Sequence, residues 1–169
     1  MSCDGIAGVF KQIPIKYNFK FKCKATIKKL QYASQSGFGL MLRDDMYLNQ
    51  DEAKKVIASN YVCAGTLTDA NGFAINYKRE SSTEITRSEF YVNYQYQIND
   101  EFSFEIERLG QRITVKTIYK NKEYFNEYLD FDLVAIDGNY MYLGMFATKG
   151  IVVEYTNDEF EITGTSQGA

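Results

Sequence analysis

No histidine occurs anywhere in the 169-residue chain. The usual general base at neutral pH, the commonest zinc ligand and every Ser-His or Cys-His nucleophilic arrangement are therefore missing, which excludes most hydrolase mechanisms. Tryptophan is absent too. Recognition of a sugar ring then falls to tyrosine, arginine and carboxylates, a set better suited to charged or hydroxyl-rich chains than to flat crystalline glucan. The three cysteines, Cys3, Cys23 and Cys63, are odd in number and far apart, so no disulfide framework follows. No apolar run approaches the roughly 20 residues needed to span a bilayer. The opening Met1-Ser2-Cys3-Asp4-Gly5-Ile6 carries no charged segment followed by an apolar one, so it reads as no secretion signal. A net charge of −3 gives no general attraction to nucleic acid. The single proline, Pro14, suits a sheet protein with few places to put one.

What remains is rich in core-forming material. Hydrophobic residues make up 45% and aromatics 15% of the chain, which excludes disorder. A chain of this length is expected to fold as one domain over residues 1–169 without a metal or disulfide. From Tyr17 to Leu30, Phe19, Phe21, Cys23, Ala25 and Ile27 alternate with Lys20, Lys22, Lys24, Thr26 and Lys28. That is a long strand with one face in a core and one in water. The lysine row reads as protection of a sheet edge or a solvated face rather than as a polyanion site. Phe102, Phe104, Ile106 and Arg108 alternate in the same way, and a turn at Leu109-Gly110-Gln111 leads into Ile113, Val115 and Thr117. Asp69-Ala70-Asn71-Gly72 joins Tyr61–Leu67 to Phe73–Arg79 in a hairpin. Tyr140 to Phe146 is almost continuously apolar, as expected of a strand buried on both sides, and Ile151–Thr156 and Phe160–Thr163 are the last strands. The only helix-like patch, Asn49 to Asn60, is short and reads as a loop insertion. Short strands, repeated turn signals and almost no helix predict an all-β, antiparallel two-sheet sandwich.

One stretch, Gly37 to Tyr47, sets an apolar strand against an arginine, two carboxylates and a tyrosine. A period of two sends Phe38, Leu40 and Leu42 into the core and Arg43 to the opposite face, where a ligand would sit. Arg43 offers a rigid fork of donors for a carboxylate or sugar hydroxyls, with Asp45 and Tyr47 just beyond. Arg79, Arg108 and Lys149 are basic partners from other strands. The competing reading is a buried Arg–Asp pair that pins a strand end. Arg108 shares the phase of Phe102, Phe104 and Ile106, so it marks either the strand's exit from the core or a buried charge. Tyr91, Tyr94, Tyr96, Tyr140 and Tyr142 offer stacking surface, although strand tyrosines usually pack.

Gly37 to Tyr47, Tyr61-Val62-Cys63-Ala64-Gly65 and Tyr140 to Lys149 together resemble the accessory β-sandwich domain found beside bacterial pectate lyases and related polysaccharide-degrading enzymes. Asp4-Gly5-Ile6 and Val152 to Asn157 are similar to that domain's entry and exit. The resemblance implies a concanavalin-like or laminin-G-like jelly roll. It further implies attachment to a catalytic domain in the same parent chain, binding of that enzyme's polysaccharide, and an extracellular or cell-surface setting as part of a larger secreted protein. This chain departs from the pattern at Lys149-Gly150, where the related domains carry arginine and a polar residue, and in the basic strand Lys20 to Lys28.

Jelly-roll lyases supply a catalytic alternative. Arg87-Ser88-Glu89 is similar to their Arg-x-Glu element, but Tyr119-Lys120-Asn121-Lys122 is a poor substitute for the catalytic tyrosine strand, and no Gln-Ile-His stretch exists. Glu105 and Glu107 share a strand face and superficially offer a glycosidase pair, yet glutamates on an alternating strand are ordinarily solvated. The expectation is a non-catalytic module. Sandwiches of this kind also resemble one another in a structural calcium site. Asp4, Asp44, Asp45, Asp137 and Asp158 lie at or near strand ends, without the spacing of a self-contained calcium loop. No cofactor is assigned.

Overall fold

The computed structural model describes residues 6–30, 37–44, 61–66, 73–74, 76–79, 86–87, 91–92, 97–129, 139–148 and 150–165. Among them the chain forms strands and no helix. In chain order these are β1 (Ile6–Pro14), β2 (Tyr17–Leu30), β3 (Phe38–Arg43), β4 (Tyr61–Thr66), β5 (Phe73–Ala74), β6 (Asn76–Arg79), β7 (Thr86–Arg87), β8 (Tyr91–Val92), β9 (Glu101–Leu109), β10 (Arg112–Tyr119), β11 (Lys122–Tyr128), β12 (Tyr140–Thr148) and β13 (Ile151–Thr165). A six-stranded sheet runs β1-β12-β3-β4-β6-β7, a five-stranded sheet runs β11-β10-β9-β2-β13, and β5 pairs with β8. Every pairing is antiparallel. The expected two-sheet jelly-roll sandwich is therefore the observed one.

The alternating strands meet where the two large sheets face each other. Phe19, Ala25 and Ile27 of β2, Phe104 and Ile106 of β9 and Val115 of β10 pack against Phe38, Leu40 and Leu42 of β3 and Val62 of β4. Phe38 touches Phe102 edge-on at 4.8 Å between ring centroids, an arrangement that aromatic quadrupoles favour. Tyr155 of β13 crosses between the sheets. The Gly39 N–H donates to its hydroxyl at 2.9 Å, and the hydroxyl donates to the Phe146 carbonyl. Gly39 and Gly65 stand opposite each other at φ 141° and 127°. A Cβ on Gly39 would lie 2.2 Å from the Ala64 carbonyl oxygen, so no other residue fits there without a backbone shift.

The six-stranded sheet is covered on its other side as well. Met41, Tyr61, Cys63 and Phe146 are buried together there, with Phe10 packed against them. This accounts for β12, which lies between β1 and β3 and sends Met141 and Leu143 to the main core and Phe146 to the second cluster.

Three details differ from expectation. β1 shows no clean alternation in sequence because it is an edge strand, with Val9 73% exposed, and Pro14 ends it, where no ladder donor is lost. Thr156 and Phe160 belong to one strand, not two. The polar run Asn157-Asp158-Glu159 is a bulge that shifts register between Thr156 and Glu159, with Asn157 at φ 53°. The lysine row of β2 does not guard an edge, since β2 lies between β9 and β13. The helix-like patch Asn49–Asn60, the turn at Asp69–Gly72 and most of the tyrosine-rich span lie outside the described residues.

Candidate ligand-binding groove

Of the site residues expected from sequence, Asp45, Tyr47 and Lys149 lie outside the described residues, and for Arg79 only the strand position is described. Register places Arg43 of β3 opposite Tyr61 of β4, and Tyr61 opposite Arg79 of β6, so the two arginines flank one tyrosine. Arg43 does point away from the main core, as its phase requires. That side is not open, however: Arg43 and Asp44 are each only 6% exposed. The guanidinium lies 5.7 Å from the Tyr61 ring and donates to the Met41 thioether at 3.5 Å. Arg43 is thus built into the second buried layer.

Arg108 belongs to the other sheet and is also buried, at 7% exposure. Its Nε donates to the Gly110 carbonyl at 2.9 Å, and its Nη1 donates to the carbonyls of Tyr17, at 2.8 Å, and of Ile15. Burial lowers its pKa from the ordinary value. The guanidinium ties the β9–β10 turn to the β1–β2 turn, so its role is that of a backbone clamp, not of a donor held open for a ligand.

The outer face of the five-stranded sheet presents a different surface. Its outward residues form charge stripes: Glu123 and Glu127 on β11, Arg112 and Lys116 on β10, Glu105 and Glu107 on β9, Lys20, Lys22 and Lys24 on β2, and Glu159 and Glu161 on β13. Register sets Lys20 opposite Glu107 and Glu161, and Lys22 opposite Glu105 and Glu159. Ion pairs follow at 3.4 Å for Lys20–Glu105, 3.2 Å for Lys22–Glu159, 3.5 Å for Arg112–Glu127 and 3.7 Å for Lys116–Glu123. Exposed pairs of this kind add little stability singly, but like charges in neighbouring strands would disfavour strand orders that set two acidic or two basic stripes side by side. Glu105 is engaged with Lys20, so it serves this lattice.

Two depressions open on this face. One, of about 500 Å³, is lined by Lys22, Lys24, Glu105, Lys116 and the bulge residues Asn157 and Asp158. The other, of about 370 Å³, is lined by Thr26, Asn99, Asp100, Asn121 and Thr156 among others. Lys24, Ser103 and Ile118 line both, so the two adjoin along this row and together make a trough. Turns with positive φ at Asn99, Lys120 and Asn121 shape its far end. There Asp100 accepts from the Gln97 N–H at 3.0 Å and from the Tyr119 hydroxyl at 3.2 Å. None of these groove residues is among the glycan-binding residues expected from sequence, Arg43, Asp45, Tyr47, Arg79, Arg108 and Lys149. The signal was in the lysine row, but its neighbours could be read only with the strand order in hand.

Beneath the trough, burial pushes the Cys23 thiol up to about 12, with the Asp158 charge adding to the effect. Cys23 is free and buried, and a protonated, enclosed thiol is a packing group and not a nucleophile; Cys63 is buried as well. Among the described residues no three acidic, cysteine or histidine side chains come together as a metal site, and Asp44 and Asp158 lie on different sheets. Asp4, Asp45 and Asp137 are outside the described residues. No helix among the described residues is long and apolar enough to cross a membrane.

No protein-family model and no curated protein matches this chain. Solved structures do. The lectin UEA-II, complexed with galactose, aligns with a TM-score of 0.60 at 13% identity, over 94% of this chain and 81% of its own. The Lotus tetragonolobus seed lectin aligns with a TM-score of 0.59 at 11% identity, over 90% and 79%. This chain has the lectin jelly roll. Scytalido-glutamic peptidase, bound to a transition-state analog inhibitor, shares the fold as well, with a TM-score of 0.56 at 7% identity over 95% and 82%. At such identities the likeness concerns the fold, and function has to be argued from the site.

Proposed function

We propose that this chain is a non-catalytic carbohydrate-binding module whose polysaccharide ligand lies in the trough on the outer face of the five-stranded sheet. The observation that carries the reading is the trough's lining. Thr26, Ser103, Thr156, Asn99 and Asn121 supply neutral hydroxyls and amides, each able to donate and accept, beside the ammonium of Lys24. Sugar hydroxyls also donate and accept, so such a lining matches them group for group. The jelly roll shared with lectins, one of them holding galactose, supports the same reading. In its finer form the ligand is a plant cell-wall polysaccharide such as pectin, and the module is attached to an extracellular polysaccharide-degrading enzyme.

Affinity electrophoresis in gels containing polygalacturonate, other pectins, xylan or fructan tests this. At least one polymer is expected to retard the protein. In solution with polygalacturonate or alginate, no ultraviolet absorbance from unsaturated products should develop. Retardation by none of the polymers would instead favour a structural or interaction module. That second reading draws on the ion-pair lattice, which already satisfies most charges on this face from within.

A further inference from the structure

The charge matching of the five-stranded sheet does not extend to Lys24. Lys20, Lys22, Lys116 and Arg112 each make an ion pair with a carboxylate of the same face. Lys24, one step further along β2, stands opposite Ser103 on β9 and Thr156 on β13. Two hydroxyls therefore occupy the places where Lys20 and Lys22 have glutamates. Asp158 lines the first depression and Glu101 the second, yet neither pairs with Lys24 among the described residues. Lys24 is exposed, and it lines the trough on both sides of the junction.

We infer that Lys24 is the carboxylate-reading residue of the trough, and that the ligand is an acidic glycan carrying a uronate at the Lys24–Ser103–Thr156 row. A carboxylate there meets an ammonium and two hydroxyl donors, a charge-assisted arrangement stronger than hydroxyl contacts alone. Neighbouring sugars are held by the neutral amides and hydroxyls of either depression. The row Ile118–Ser103–Lys24–Thr156 also places an isoleucine, 37% exposed, two strands from the lysine, an apolar surface for the face of a sugar ring.

This inference rests on the glycan-binding reading, and one titration separates the two. Tetragalacturonate, its fully methyl-esterified form and xylotetraose are titrated by calorimetry into the wild-type protein and into Lys24→Met, which keeps an unbranched stem and removes the charge. Near-ultraviolet circular dichroism checks that the variant stays folded. The wild type is expected to bind tetragalacturonate about tenfold or more tightly than the ester, and Lys24→Met is expected to lose that preference, binding acid and ester about equally. If the ester or xylotetraose binds as well as the acid, or if Lys24→Met keeps the preference, the carboxylate assignment falls and glycan binding stands. If none of the three binds the wild type, the carboxylate assignment falls, and the glycan-binding reading falls with it when no polymer retards the protein in the gels.

Discussion

The guanidinium of Arg43 rests over Tyr61 and donates to the Met41 thioether inside a buried layer, so soft, polarizable groups are among its partners. Truncating a side chain so placed removes packing and leaves the polar groups it served without their partner. Arg43→Ala is therefore expected to lower the unfolding free energy by about 2–4 kcal/mol in urea denaturation. The fraction that remains folded should bind glycan with wild-type affinity. Retained stability together with lost binding would return Arg43 to the role its sequence context suggests. Alternation showed which way Arg43 points, and that was correct. It could not show that Tyr61, Met41 and Phe146 close that side, because the closure joins β3 to β4 and β12, strands distant in sequence. Arg108 was ambiguous for a related reason: its core phase was legible, while the Ile15 and Tyr17 carbonyls that receive it come from a turn some 90 residues earlier.

At the level of elements, β2, β9 and β10 could be read directly because each has one buried and one wet face. β1 could not, and β13 read as two strands because a bulge has the composition of a turn. The bulge keeps β13 paired along β2 through 15 residues, and Tyr155, on the near side of it, bolts β13 to the facing sheet. Burial pushes the Tyr155 hydroxyl pKa up, in keeping with a hydroxyl that stays protonated and donates. Tyr155→Phe leaves the Gly39 N–H without its acceptor beside a glycine whose φ of 141° no substitution tolerates. A loss of about 1–3 kcal/mol in thermal or urea unfolding is expected. A change within about 0.5 kcal/mol, the range of a surface substitution, would show that the hydroxyl does not join the sheets.

Across the whole molecule, the two outer faces of the sandwich have opposite characters. The six-stranded sheet carries a second apolar cluster on its outer side, and the five-stranded sheet carries a charge lattice crossed by a trough. The sandwich itself was legible in the alternating strands, and the polysaccharide came from resemblance to a family; which face receives a ligand was not legible. Lys24 differs from Lys20 and Lys22 only through Ser103 and Thr156, and those neighbours are set by the order β9-β2-β13. The central claim is that ligand meets this face and not the Arg43 face. Titrating tetragalacturonate into isotopically labelled protein while recording amide chemical shifts tests it most directly. The account predicts shifts at Lys24, Ser103, Ile118, Asn121 and Thr156, with Arg43, Tyr61 and Cys63 unmoved; shifts concentrated on β3 and β4 would contradict it.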